Sequence, residues 1–107
     1  MLEVLELNDD NFNDEINERE VSVVVFYAKW CGSCRMATPM FKNVLGEYNL
    51  PLMKIDIESN PQIKEMLELE GLPTIGIFKK GEPVAAINTT KEDVYRDFLK
   101  EHQVEVQ

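Results

Sequence analysis

Residues Val21-Ser22-Val23-Val24-Val25-Phe26-Tyr27-Ala28-Lys29-Trp30-Cys31-Gly32-Ser33-Cys34 run an apolar stretch into a cysteine pair. Val21–Ala28 is nearly all apolar and rich in β-branched and aromatic residues, the pattern of a strand buried on both faces. The cysteines follow at once and open the next helix. Met36, Met40 and Val44 recur at i, i+4 and i+8, with Phe41 and Leu45 beside them, which gives that helix one apolar face. The Met36/Met40 stripe reads as core. Pro39 falls inside this pattern and predicts a kink without ending the helix. Gly46 lies near the C-terminal end.

Toward the N-terminus, Leu2–Leu7 alternates apolar and acidic residues after Leu2, as a short edge strand does. Asn8 to Asn13 is rich in Asn and Asp, a turn and helix start, and Phe12 and Ile16 place a weak amphipathic helix over about Asp10–Glu18. Toward the C-terminus, Leu50–Ile57 is a third strand. Asn60-Pro61 starts a helix, with Asn60 as N-cap and Pro61 at the first helical position. Ile63, Met66 and Leu67 form its buried stripe, and Gly71 stops it. Thr74–Phe78 and Val84–Ile87 are strands joined by a hairpin turn at Lys79-Lys80-Gly81-Glu82. Thr90 caps a last helix to about His102, with Val94, Tyr95, Phe98 and Leu99 inward. Val104 and Val106 read as a frayed tail. The order β-α-β-α-β-α-β-β-α predicts an α/β protein of one domain over residues 1–107, a mixed central sheet with helices on both faces.

Composition narrows the function. The chain has 107 residues, 44% hydrophobic and 29% charged, the makeup of a globular domain with its own core. Eleven basic residues against twenty acidic ones give a net charge of −9, which argues against nucleic-acid binding and against anionic membranes. No apolar run approaches the roughly 20 residues of a membrane span. The first seven residues lack a basic region and a small-residue cleavage site, so the expected location is cytoplasmic. A monomer is the expected state.

Cys31 and Cys34 are the only cysteines. A structural zinc site normally takes four ligands, and the only histidine is His102, so a metal is expected only if shared across a dimer. A structural disulfide across so short a loop gains little chain entropy. A dithiol that opens and closes is the third reading, and a Cys-x-x-Cys beside a strand–helix pattern favours it. Cys31 stands where the strand gives way to the helix. Free backbone N–H groups and the helix dipole favour an anion there, and the thiolate is the nucleophile of disulfide exchange. Trp30 admits two readings, a core residue or a shield for the thiolate that also touches substrate. Pro73 reads, from composition, as a loop proline.

The run Phe26–Cys34, Pro39 in the following helix, Gly71-Leu72-Pro73-Thr74 and Phe78-Lys79-Lys80-Gly81-Glu82 together resemble the thioredoxin family over about residues 2–102. The resemblance implies a thioredoxin fold, three αβα layers with a central five-stranded mixed sheet and four helices. It implies thiol–disulfide exchange by Cys31 and Cys34, with Trp30, Gly32, Ser33 and Pro73 supporting the site. A substrate surface of Trp30, Gly71, Leu72, Pro73, Thr74, Asn88 and Thr89 follows from it, as does a cis Leu72–Pro73 bond packed against the cysteines. No cofactor or metal is implied beyond the Cys31–Cys34 disulfide itself. The implied partners are protein disulfides and a thioredoxin reductase or related enzyme.

Three positions depart from the family's usual pattern. Ser33 stands where many relatives carry proline. Its N–H and hydroxyl can stabilise the Cys31 thiolate, which would make the chain a weaker reductant. Val25 stands where a buried Asp is usual, six residues before Cys31. Lys54, the usual partner of that Asp, then reads as a snorkelling lysine, and water or another carboxylate, Asp56 or Glu58, is left as a substitute proton acceptor for Cys34. Asn88-Thr89-Thr90 lacks the usual loop glycine and is one residue shorter, which alters the partner surface. Two functions compete on this reading: a cytosolic protein-disulfide reductase and electron carrier, or a thioredoxin-fold interaction module with reduced or specialised turnover. An oxidase or isomerase is a third.

Overall fold

The computed structural model describes residues 4–107. Its elements are β1 (Val4–Leu7), α1 (Phe12–Asn17), β2 (Val21–Tyr27), α2 (Gly32–Glu47), β3 (Leu52–Asp56), α3 (Pro61–Met66), β4 (Thr74–Lys79), β5 (Glu82–Asn88) and α4 (Glu92–Glu101). The five strands form one sheet in the order β1-β3-β2-β4-β5. β3 runs parallel to both β1 and β2, while β4 runs antiparallel to β2 and β5. The mixed sheet and four helices are those expected. The first strand is described from Val4 only, so the expectation for Leu2 and Glu3 lies outside the described residues.

β2 sits at the centre because its apolar run can be buried twice. Val21, Val23 and Val25 face one core with Ala37, Phe41, Val44 and Leu45 of α2 and Tyr95, Phe98 and Leu99 of α4. Val24 and Phe26 face the other core, with Phe12 and Ile16 of α1 and Ile63 of α3. Strand periodicity of two separates these sets. The hairpin between β4 and β5 turns on Lys80 (φ 51°) and Gly81 (φ 82°). Two consecutive positive φ values are the type I′ geometry whose twist suits a hairpin, and glycine takes it without strain.

Several local expectations are corrected. Met36 is 84% exposed and Met40 only half-buried; the inward face of α2 is Cys34, Ala37, Phe41, Val44 and Leu45. α3 ends at Met66, five residues before Gly71, and Met66 is exposed. The reason lies in Leu67-Glu68-Leu69-Glu70, whose alternation suits extended chain; Leu67 and Leu69 both pack on the core that way. Asn60 occupies the N-cap position without capping through its side chain. Asp9 does that work from another loop, accepting from the backbone N–H groups of Gln62 (3.2 Å) and Ile63 (2.9 Å). Lys91, not Thr90, is the N-cap of α4, and the Lys91 N–H donates to Thr89 Oγ1.

Val104 is core, 5% exposed, rather than frayed. The cause is how α4 ends. Gln103 takes a left-handed conformation (φ 58°), its N–H donates to the Lys100 carbonyl, and the Val104 N–H donates to the Leu99 carbonyl. This Schellman closure delivers the next residue into the core. α2 ends the same way, with Asn49 left-handed (φ 57°) and Leu50 buried. Gly46 stays inside that helix.

Candidate active site

The site forms where β2 ends and α2 begins. Cys31 is the N-cap of α2, with extended backbone (φ −82°, ψ 97°), and its N–H donates to the Ala28 carbonyl at 3.0 Å. Cys31 and Cys34 are joined as a disulfide with Cα atoms 5.3 Å apart. One helical turn separates them, so the bond closes across the first turn of α2. Cys31 keeps 5% exposure and Cys34 only 1%, which makes Cys31 the sulfur a partner reaches first. The Cys34 N–H donates to Cys31 Sγ at 3.2 Å, and Ser33 Oγ lies 3.4 Å from that sulfur. Both contacts favour negative charge on Cys31 when the bond is open. Gly32 and Ser33 are exposed beside them. Pro39 lies inside α2, which runs past it to Glu47.

Strand register brings the other predicted residues to the same end of the sheet. Thr74 pairs with Phe26, and Asn88 pairs with Thr74. The segments before β4 and after β5 therefore emerge beside the end of β2. The Leu72–Pro73 bond is cis. Thr74 Oγ1 donates to the Gly71 carbonyl and Asn88 Nδ2 to the Pro73 carbonyl, each at 2.6 Å. Leu72 is thus the backbone unit between two carbonyls already bonded. Leu72, Pro73, Asn88, Thr89, Thr90 and Lys91 line a hollow of about 250 Å³.

Trp30 is 69% exposed, so it is a surface residue and not core. Its Nε1 donates to Glu58 Oε1 at 3.2 Å, and Lys64 Nζ donates to Glu58 Oε2 at 2.6 Å. The Lys64 bond, then the Trp30 bond, hold the Glu58 carboxyl below its ordinary range. Sequence spacing gave no sign of the Lys64–Glu58–Trp30 chain. It joins three segments, and only the turn between β3 and α3 brings them together.

The interior behind the disulfide is apolar. Val25 is 2% exposed and pairs with Lys54 on β3 and Ile75 on β4. Lys54 Nζ turns to the surface, 3.7 Å from Glu6 Oε1 and 5.0 Å from the centre of the Tyr27 ring, the snorkelling expected of it. Burial, then the bond Tyr27 Oη donates to Glu6 (2.8 Å), pushes the Tyr27 phenol well up, so it stays a neutral donor. Asp56 is buried and accepts from the Glu58 N–H (2.9 Å) and Ser59 Oγ (3.1 Å). Among the described residues no carboxylate bonds a cysteine sulfur, and no cluster of three or more His, Cys, Asp or Glu is set to hold a metal.

The chain as a whole is similar to known proteins. The sequence model of the thioredoxin family matches residues 3–101. The chain belongs to the thioredoxin family. It is 36% identical to a thioredoxin of Staphylococcus saprophyticus over 83 residues, covering 76% of this chain and 79% of that one. It is also 34% identical over 84 residues to mouse protein disulfide-isomerase A4, covering 74% of this chain but 13% of that much longer protein. Among solved structures, thioredoxin f2 of Chlamydomonas reinhardtii superposes with a TM-score of 0.86 at 25% identity, covering 94% of this chain and 96% of that one. A Halobacterium salinarum thioredoxin variant superposes at 0.82 with 26% identity, covering 98% and 94%. The fold is the thioredoxin fold. With the cysteine pair in place, the chain is a thiol–disulfide oxidoreductase with protein-disulfide reductase activity.

Proposed function

We propose that this chain is a cytosolic electron carrier that reduces protein disulfides as a monomer and is recharged by a thioredoxin reductase or a related enzyme. The observation that carries this reading is the Cys31–Cys34 bond across the first turn of α2, with Cys31 the more exposed sulfur. In the reduced protein the Cys31 thiolate attacks one sulfur of a substrate disulfide and expels the other as a thiolate. Cys34, having given up its proton, then attacks Cys31 Sγ and expels the second substrate thiolate. Two electrons pass to the substrate, and the Cys31–Cys34 disulfide forms. With Val25 in place of a carboxylate, the Cys34 proton leaves to water.

In this reading Ser33 steadies the Cys31 thiolate and Gly32 lets a partner approach. Trp30, Gly71, Leu72, Pro73, Thr74, Asn88 and Thr89 receive the substrate chain, with Leu72 pairing to it as to an added strand. The chain's only two cysteines are both in the exchange pair, as suits a compartment that keeps thiols reduced. The likeness to an isomerase domain supports a second reading, a chain that reshuffles disulfides.

Insulin reduction driven by dithiothreitol tests the first. The parent accelerates it, Cys31→Ser abolishes the acceleration, and Cys34→Ser accumulates a mixed disulfide through Cys31. A Cys31→Ser variant as active as the parent overturns the reading in favour of an interaction module.

A further inference from the structure

The face around the disulfide carries a charge opposite to that of the molecule. The chain's net charge is −9, yet Val21–Gly46 holds none of its twenty acids and three of its eleven cations, Lys29, Arg35 and Lys42. All three are exposed. Arg35 Nη1 donates to the Lys29 carbonyl at 3.3 Å, which holds the guanidinium beside the Lys29-Trp30-Cys31 turn. Lys42 follows Arg35 by seven residues, about two turns along the same face of α2. Of the eight other cations five are paired: Arg19 with Glu15, Lys54 with Glu6, Lys64 with Glu58, Lys80 with Glu20, and Arg96 with Glu47 and Glu92; Lys79, Lys91 and Lys100 enter no salt bridge among the described residues. Among the described residues Lys29, Arg35 and Lys42 enter no salt bridge.

The acids nearest Lys29 and Trp30 are already engaged, while Glu70, exposed beside Gly71, enters no salt bridge among the described residues. Glu58 is held by Lys64. Lys29 borders a hollow that includes Glu6 and Asp56, but Glu6 pairs with Lys54 and Asp56 ties down its own turn. Across the site, the hollow at Pro73 and Thr89 adds Lys91 and no carboxylate. Two exposed apolar side chains, Trp30 and Met36, stand among these cations.

We propose that this face selects protein disulfides flanked by Asp or Glu, docking an acidic segment against Lys29, Arg35, Trp30 and Met36. The inference rests on the reductase reading and names its substrate class. The rest of the molecule repels an acidic partner, so only an encounter that brings carboxylates to this face is favoured within a Debye length of about 8–10 Å. The charge therefore orients and discriminates. A nucleic acid, the other polyanion, meets the same repulsion and offers no disulfide to exchange.

The test uses the reduced protein, freed of excess reductant, and two synthetic disulfide peptides that differ only in Glu or Lys flanking the bond. Rapid mixing follows a single turnover, in which one protein dithiol becomes a disulfide and one peptide disulfide becomes a dithiol. Rates are normalised to those of dithiothreitol on the same peptides, which removes their intrinsic difference. The Glu peptide reacts about tenfold faster at low salt, and the gap closes in 1 M salt, where the Debye length is about 3 Å. A Lys29→Glu/Arg35→Glu double variant reverses the ratio. Taking the ratio within each variant cancels any change in Cys31 reactivity. Equal normalised rates, a Lys preference, or a Glu preference that survives in the double variant overturns the inference and leaves the reductase reading standing. Failure to reduce either peptide overturns the reductase reading itself. Salt-sensitive binding of a single-stranded DNA oligonucleotide, lost in the double variant, would assign the cations to nucleic acid and overturn the proposal.

Discussion

Glu58 holds Trp30 in place only while it is ionised. Two donors, Lys64 Nζ and Trp30 Nε1, depress its carboxyl in the folded state. A depressed folded pKa means an interaction present above the unfolded value and lost as pH falls through the folded one. Trp30 is the single tryptophan, so all tryptophan emission comes from the side chain that makes this contact. In the oxidised protein its emission stays flat from neutral pH and changes only below the ordinary glutamate value of about 4.3. Lys64→Gln moves that transition upward. A parent transition at or above the ordinary value, or one that Lys64→Gln leaves in place, contradicts the account. The cysteine pair was plain from the sequence because its chemistry is local to one turn. The tether on Trp30 was not, because Glu58 and Lys64 meet it only through the fold.

At the scale of elements, α3 shows how tertiary structure replaces a local signal. Its six residues cannot sustain a helix alone, since isolated helices shorter than about 12–15 residues are marginal. Asp9 caps it from a loop more than fifty residues away in sequence, and the Asp9 N–H donates to Asn60 Oδ1 at 2.8 Å. Asp9→Ala therefore lowers stability by about 1 kcal/mol, read from the urea midpoint. A change under about 0.5 kcal/mol would mean the cap contributes nothing. Asn60-Pro61 marked the start of α3 correctly, but its capping oxygen comes from elsewhere. Strand identities were legible because β2 and β4 are apolar on both sides. Their ends shifted by one or two residues, and the extent of α3 was misread because Leu67-Glu68-Leu69-Glu70 pairs helix-forming residues with an extended pattern. Met36 misled for a related reason: a helical spacing fixes which residues share a face, not which face turns inward.

For the whole molecule, two cores clamp one sheet and hold the end of β2 against the start of α2. The core shared by α2 and α4 is closed by the chain after α4. Val104 is buried in it, the Gln107 N–H donates to the Tyr48 carbonyl at 2.9 Å, and Asn49 Nδ2 donates to the Gln107 carbonyl at 3.1 Å. Val104→Ala costs about 1–2 kcal/mol of unfolding free energy, and no measurable cost would restore the frayed tail. This packing fixes the backbone around Cys31, so the potential of the pair is set by its neighbours: the helix start, the Cys34 N–H and Ser33. The measurement that bears on all of this is the Cys31–Cys34 reduction potential, by equilibration against dithiothreitol and glutathione buffers. The expected value lies near the thioredoxin range of about −270 mV, with a Ser33→Pro variant more negative than the parent. A parent value near −180 mV or above, or a Ser33→Pro variant no more reducing than the parent, would contradict it.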